Sequence, residues 1–121
     1  MWPFSTSDAN NVLEAIGNSQ AIIEFRPDGT ILTANANFLD ALGYRLEEIQ
    51  GKHHSMFVDP AERSGSNYKL FWEALARGEY QAAEYKRIAK GGRDVWIQAS
   101  YNPVRSRGGK VYKVVKSATD I

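Results

Sequence analysis

A chain of 121 residues with a net charge of +1 and no cysteine has room for one hydrophobic core. The near-neutral charge leaves no electrostatic footprint for nucleic acid or an anionic membrane surface, and no apolar run approaches the ~18 residues of a membrane span. The absence of thiols excludes disulfides, thiolate metal sites and cysteine nucleophiles. The segment Met1-Trp2-Pro3-Phe4-Ser5 lacks the basic flank and apolar stretch of a signal peptide, and the lack of cysteines makes a cytoplasmic origin the expectation.

In chain order, residues 7–17 read as a short amphipathic helix, with Ser7 as N-cap, Val12, Leu13 and Ile16 as an apolar stripe, and Gly17-Asn18 as the stop. Residues 20–26 and 30–34 read as two strands around Pro27-Asp28-Gly29, a turn in which Pro presets φ and Gly accepts its positive value. Asn35 caps a helix carrying Phe38, Leu39 and Leu42 and ending at Gly43-Tyr44; a further turn, Leu46–Ile49, stops at Gly51. Residues 52–65 show little period, and Pro60 limits helix there. Tyr68, Phe71, Trp72 and Leu75 then follow the i, i+3, i+4, i+7 spacing of a longer helix, with Ser66 or Asn67 before it and Gly78 after. Residues 80–89, 94–104 and 111–118 are three strands joined at Lys90-Gly91-Gly92-Arg93 and Arg107-Gly108-Gly109-Lys110. In the middle one, Val95, Ile97, Ala99 and Tyr101 share one face, and Trp96, Gln98, Ser100 and Asn102 the other.

The expected fold is therefore α+β: a five-stranded antiparallel sheet, short helices on one face, and the amphipathic N-terminal helix (residues 1–18) capping a sensor unit of residues 19–121. That helix is expected against the sheet's other face, covering Trp96 within the chain or across a dimer. Lys116 raises a question of register. If Tyr112 and Val114 point inward, so does Lys116, at the cost of burying a lone charge; a slip of one residue or a strand-end position returns it to water, and that is the expectation.

Read together, the Asp28-Gly29 turn, Ile31 to Asn35 followed by Ala36-Asn37-Phe38, Leu42-Gly43-Tyr44, Glu48-Ile49-Gln50-Gly51-Lys52, the Lys90-Gly91-Gly92 hairpin, Trp96-Ile97, Pro103 and Ala118-Thr119-Asp120-Ile121 resemble a PAS domain over nearly the whole chain. His54-Ser55-Met56, Phe71-Trp72-Glu73-Ala74-Leu75, Gly78-Glu79, Trp96 and Pro103 are similar to the PAS domains of aerotaxis receptors and of cytoplasmic PAS-containing chemoreceptors. That resemblance implies FAD as cofactor and a redox- or ligand-sensing role. Where flavin PAS domains often carry Trp-Ser-Gly after the long helix, this chain reads Tyr80-Gln81-Ala82. The resemblance also implies a longer protein: a downstream signalling helix or second PAS domain as partner, and a homodimer.

The residues singled out for a cofactor are Trp72, Phe71, Asn35, Asn37, His54, Ile97, Ala99 and Tyr101. Trp72 is either an aromatic wall for a flat ring or a core aromatic. Asn35 is explained by capping alone, while the amide of Asn37 could read a polar ring edge. His53 and His54 cannot both face inward; one could bind haem b as an axial ligand, His54 could bond a flavin or order its own segment, or both could face solvent. No Cys-His or Ser-His pair, phosphate loop or paired carboxylate argues for an enzyme, and without a thiol the flavin–thiol photochemistry of light-oxygen-voltage domains is excluded. The alternative to FAD or haem is a PAS domain with no cofactor that only dimerises.

Overall fold

The computed structural model describes residues 6–121, with side chains from Asp8 onward; Met1-Trp2-Pro3-Phe4-Ser5 and the side chain of Ser7 lie outside the described residues. Helix α1 (Thr6–Gly17) is followed by strands β1 (Ala21–Phe25) and β2 (Ile31–Ala34), then helices α2 (Ala36–Leu42) and α3 (Leu46–Ile49), a 3-10 turn at His54–Phe57, α4 (Pro60–Arg63) and α5 (Ser66–Ala76). Strands β3 (Gln81–Ile88), β4 (Asp94–Arg105) and β5 (Val111–Asp120) complete one antiparallel sheet in the order β2-β1-β5-β4-β3. The sheet and its helices bear out the α+β expectation.

The first hairpin turns where the Pro-Asp-Gly signal places it. Gly29 sits at φ 95, the left-handed region that favours glycine, and a Cβ there would lie 2.6 Å from His53 Nε2. Residues 52–65, which show no long period, hold two single helical turns. The His53 imidazole caps the first by accepting from Ser55 N, the Asp59 carboxylate caps the second by accepting from Ala61 N, and Pro60 opens that second turn instead of preventing it. The long helix α5 has the expected stripe, but its N-cap is Gly65 and no side chain caps it.

One face of the sheet, with Ile23, Phe25, Ile97, Ala99, Tyr101, Val114 and Ala118, buries against Phe38, Leu42, Ile49, Phe57, Tyr68, Trp72 and Leu75 from the helical segment. The clean alternation of β4 holds: Val95, Ile97, Ala99 and Tyr101 are buried, whereas Trp96 and Gln98 are exposed.

Two expectations need correction. Lys116 is buried, at 1% exposure, instead of facing water. Lys116 shares the inward parity of buried Val114 and Ala118, while a β-bulge, where Val104 pairs with Lys113 and Arg105 with Val111, leaves Tyr112 as the extra, unpaired residue. Tyr112 turns outward while Val114, Lys116 and Ala118 stay on the inner face. The second correction concerns α1. It borders outer-face residues Ile22, Glu24 and Thr33 across a groove, yet within the chain it does not cover Trp96, which is 54% exposed. Only residues 18–20 separate α1 from β1, whereas Trp96 lies on β4, with β5 between the two strands. Val12, Leu13 and Ile16 are themselves exposed.

Candidate functional site

Beneath α2 the inner face of the sheet leaves a cavity of about 340 Å³, near the lower end of the roughly 300–1,000 Å³ usual for small-molecule sites. Phe38, Leu42, Phe57 and Ile97 give it apolar walls, and Asn37, Gln20 and Thr119 are among the polar groups of its lining. Arg87 and Lys116 also line it, at 2% and 1% exposure. Two buried basic side chains in one apolar cavity set its electrostatic character.

Both side chains are mounted on Tyr101. Lys116 Nζ sits 4.9 Å from the centre of the Tyr101 ring and 6.0 Å from that of Phe38. Arg87 Nη2 donates to the Tyr101 hydroxyl at 3.2 Å, and Nη1 donates to the Lys86 carbonyl at 2.9 Å and reaches Glu62 at 3.4 Å. Arg87 Nε is buried without a hydrogen-bond partner, and the contacts of the Lys116 ammonium are the Tyr101 and Phe38 ring faces. Burial, with the charge of Arg87 second, pushes the Lys116 pKa well below its ordinary value.

Behind Tyr101 lies His54, fully buried. Its Nδ1 is 2.7 Å from the Tyr68 hydroxyl and its Nε2 is 2.9 Å from the Tyr101 hydroxyl. Burial, followed by repulsion from Lys116, holds its pKa well below the usual imidazole value, so the ring is neutral. Either neutral tautomer makes every bond: Arg87 donates to the Tyr101 oxygen, and His54 donates to one tyrosine hydroxyl while accepting from the other. Burial raises the Tyr68 pKa to about 12 and raises that of Tyr101 as well, keeping both hydroxyls protonated.

The structure thus separates the predicted site residues into groups. Asn37 and Ile97 line the cavity. Ala99 and Tyr101 belong to the sheet face beside it. Phe71 and Trp72 are packed into the ring cluster, with Phe71 4.9 Å from Tyr101 and Trp72 5.3 Å from both Phe25 and His54, measured between ring centres. Trp72 borders a separate shallow surface groove with His53, Tyr68 and Lys69.

Asn35 is the cap of α2. Its Oδ1 accepts from Phe38 N and Ile22 N at 3.0 and 2.9 Å, and its Nδ2 donates to the Gly17 and Gln20 carbonyls at 3.0 and 2.9 Å. One amide therefore ties α1, β1 and α2 together. Asn35→Ala is expected to lower stability by about 2–3 kcal/mol, more than a simple cap, since three further partners lose their bond. Asn35→Asp should recover part of this by keeping the acceptors; equal melting temperatures for the three chains would refute the assignment.

Haem finds no ready ligand. Both ring nitrogens of His54 are held by tyrosines, while those of His53 contact the Asp28 carbonyl at 2.7 Å and the Ser55 amide at 3.0 Å. Iron ligation by either would have to break the contact at the nitrogen that binds. The residue that sequence reasoning missed is Arg87. Its signal was strand parity: Arg87 shares the inward parity of β3 with Tyr85 and, beyond the strand end, Ala89.

Comparison with known proteins follows this geometry. Residues 31–118 match the family model described as PAS fold. The chain is 49% identical over 109 residues to the biofilm dispersion protein BdlA of Pseudomonas aeruginosa, covering 90% of this chain and 26% of that protein. It is 32% identical over 81 residues to the aerotaxis receptor of Escherichia coli, covering 67% of this chain and 16% of the receptor. Among solved structures, one reported under the heading of a flavin analogue and the light-oxygen-voltage domain mechanism superposes with a TM-score of 0.75 at 22% identity, covering 97% of this chain and 88% of the other, a likeness of fold alone.

Proposed function

Because the chain belongs to the PAS fold family, we propose that it is the sensory unit of a longer cytoplasmic signalling protein, with the cavity beneath α2 as its sensing site. The chain spans about a quarter or less of the two curated relatives described above, one a biofilm dispersion protein and the other an aerotaxis receptor. Those names support a role in relaying a chemical or redox stimulus. The observation that carries the reading is the cavity itself, an apolar slot with two buried basic side chains on strands β3 and β5.

FAD is the cofactor we favour, from the similarity of this chain's motifs to aerotaxis receptors. The residues fit its ring: Phe38, Phe57 and Ile97 offer apolar surfaces, and Arg87 and Lys116 offer cations to its carbonyl–nitrogen edge. When bound, a flavin supplies a ring whose charge and hydrogen bonding change on reduction. The chain's own part is to register that change. Arg87 and Lys116 sit on β3 and β5, so a shift in either cation biases two strands that flank β4, and β5 carries the bias toward Asp120. A downstream signalling helix or second PAS domain would receive it.

Absorption of the purified protein tests this. Visible flavin bands are expected; a Soret band would mean haem, and a featureless spectrum would favour a cofactor-free module acting by association alone. The association reading has its own support in the exposed stripe Val12, Leu13, Ile16 and in exposed Trp96. A homodimer through these surfaces should dissociate when residues 1–17 are removed; unchanged sedimentation would exclude α1 from any interface.

A further inference from the structure

The cavity holds two buried basic side chains, Arg87 and Lys116, with no buried carboxylate among its described lining residues. Glu62 reaches Arg87 only at 3.4 Å and is itself half exposed, and Asp120, the single carboxylate among the described lining residues, is exposed. A buried cation without a close counter-ion is costly, and an apolar residue of similar length on β5 would be the more stable choice. We propose that the cavity is an anion site, holding the carboxylate, or an equally ionised oxygen or nitrogen edge, of a planar ligand against Lys116 and Arg87.

Three features of the site carry this. The two basic side chains share one rigid mount, Lys116 over the face of Tyr101 and Arg87 on its hydroxyl, and Tyr101 is itself pinned by His54. Arg87 keeps a buried, unpartnered Nε–H. The walls beside the cations, Phe38, Phe57, Leu42 and Ile97, suit the faces of a ring system of modest size. Burial and the neighbouring Arg87 disfavour the charged form of Lys116, and an anion at this point reverses that balance, so Lys116 becomes a full cation as the ligand enters.

This deepens the reading of the cavity as the sensing site, and two sources share the required chemistry: a free aromatic acid and the ionised ring edge of a reduced flavin. For the first, the purified chain is titrated by calorimetry with benzoate and nicotinate and with their neutral amides, benzamide and nicotinamide. The acids should bind at least tenfold tighter than the amides, and Lys116→Met should abolish that preference while leaving the circular dichroism unchanged and the melting temperature equal or higher. Lys116→Gln serves as a second neutral variant if the methionine packs badly.

For the second source, the midpoint potential of any co-purified flavin is measured. Here Lys116→Met should make reduction harder by at least tenfold in the equilibrium constant, about 30 mV for a two-electron couple. Either result supports the anion site and identifies its source. Equal binding of acids and amides, or no binding of either, together with a flavin whose potential does not move, overturns it, as does an acid preference that survives both Lys116 variants. A missing flavin spectrum removes the cofactor reading alone and leaves the acid-against-amide comparison to decide.

Discussion

Replacing His54 with Ala should lower the free energy of unfolding by at least about 3–5 kcal/mol, a large share of the roughly 5–15 kcal/mol that holds a domain folded. The loss has two parts. A fully buried ring disappears from a cluster that includes Phe25, Phe57 and Trp72, and the Tyr68 and Tyr101 hydroxyls lose their shared partner inside the core. His54→Phe refills most of the space but restores neither bond, so it should fall between the alanine variant and the wild type. Urea denaturation of the three chains orders them.

The pH dependence follows from the same residue. Folding depresses the His54 pKa, so the unfolded chain binds a proton near its ordinary value of about 6.5 that the folded chain refuses. The neutral ring's contribution is fully present above that value and is lost as pH falls below it. Surrounding groups hold this direction: Arg87, Lys116 and His53 all disfavour a charge on His54, while Tyr68 and Tyr101 stay neutral. Between about pH 7.5 and pH 5 the wild type should therefore lose more stability than His54→Phe, which has no imidazole to titrate. Parallel slopes for the two chains would contradict a neutral buried histidine.

Much of this architecture was legible because periodicity survives burial on one side. The alternation of Val95, Ile97, Ala99 and Tyr101 fixed the inner face of β4, and Asn35 before Phe38 marked the start of α2. What failed was the weight given to a buried charge. Parity with Val114 put Lys116 inward, and the cost of burying an ammonium argued it back into water, whereas the structure keeps it inside and turns out only Tyr112, through a bulge that has no compositional mark. Arg87 escaped for a related reason: a charge on a strand reads as solvent-facing, and its pairing opposite buried Val95 is a long-range fact. The two histidines divided as the local argument required, one inward and one outward, but only the three-dimensional packing shows that Tyr68, 14 residues on, and Tyr101, 47 residues on, hold the inward one.

Trp72→Ala is expected to cost about 3–5 kcal/mol, the usual range for truncating a buried large aromatic. Spacing along α5 suggests that Tyr68, Phe71 and Leu75 could hold the helix without it. Packing argues otherwise, since Trp72 is 7% exposed and meets Phe25, His54, Phe71 and Tyr101 at ring-centre distances of 5.3, 5.3, 5.7 and 6.4 Å. Its removal opens a void between α5 and the sheet at the base of the His54–Tyr101 pair. Because the cavity beneath α2 is walled by other residues, a bound flavin should be lost only in proportion to the unfolded fraction. Thermal melts followed by circular dichroism and by flavin absorbance should then coincide. A variant that keeps its fold while releasing the flavin would place Trp72 in the cofactor wall, and Trp72→Phe, which retains an aromatic face but less of the buried area, would be expected to restore most of the stability in either case.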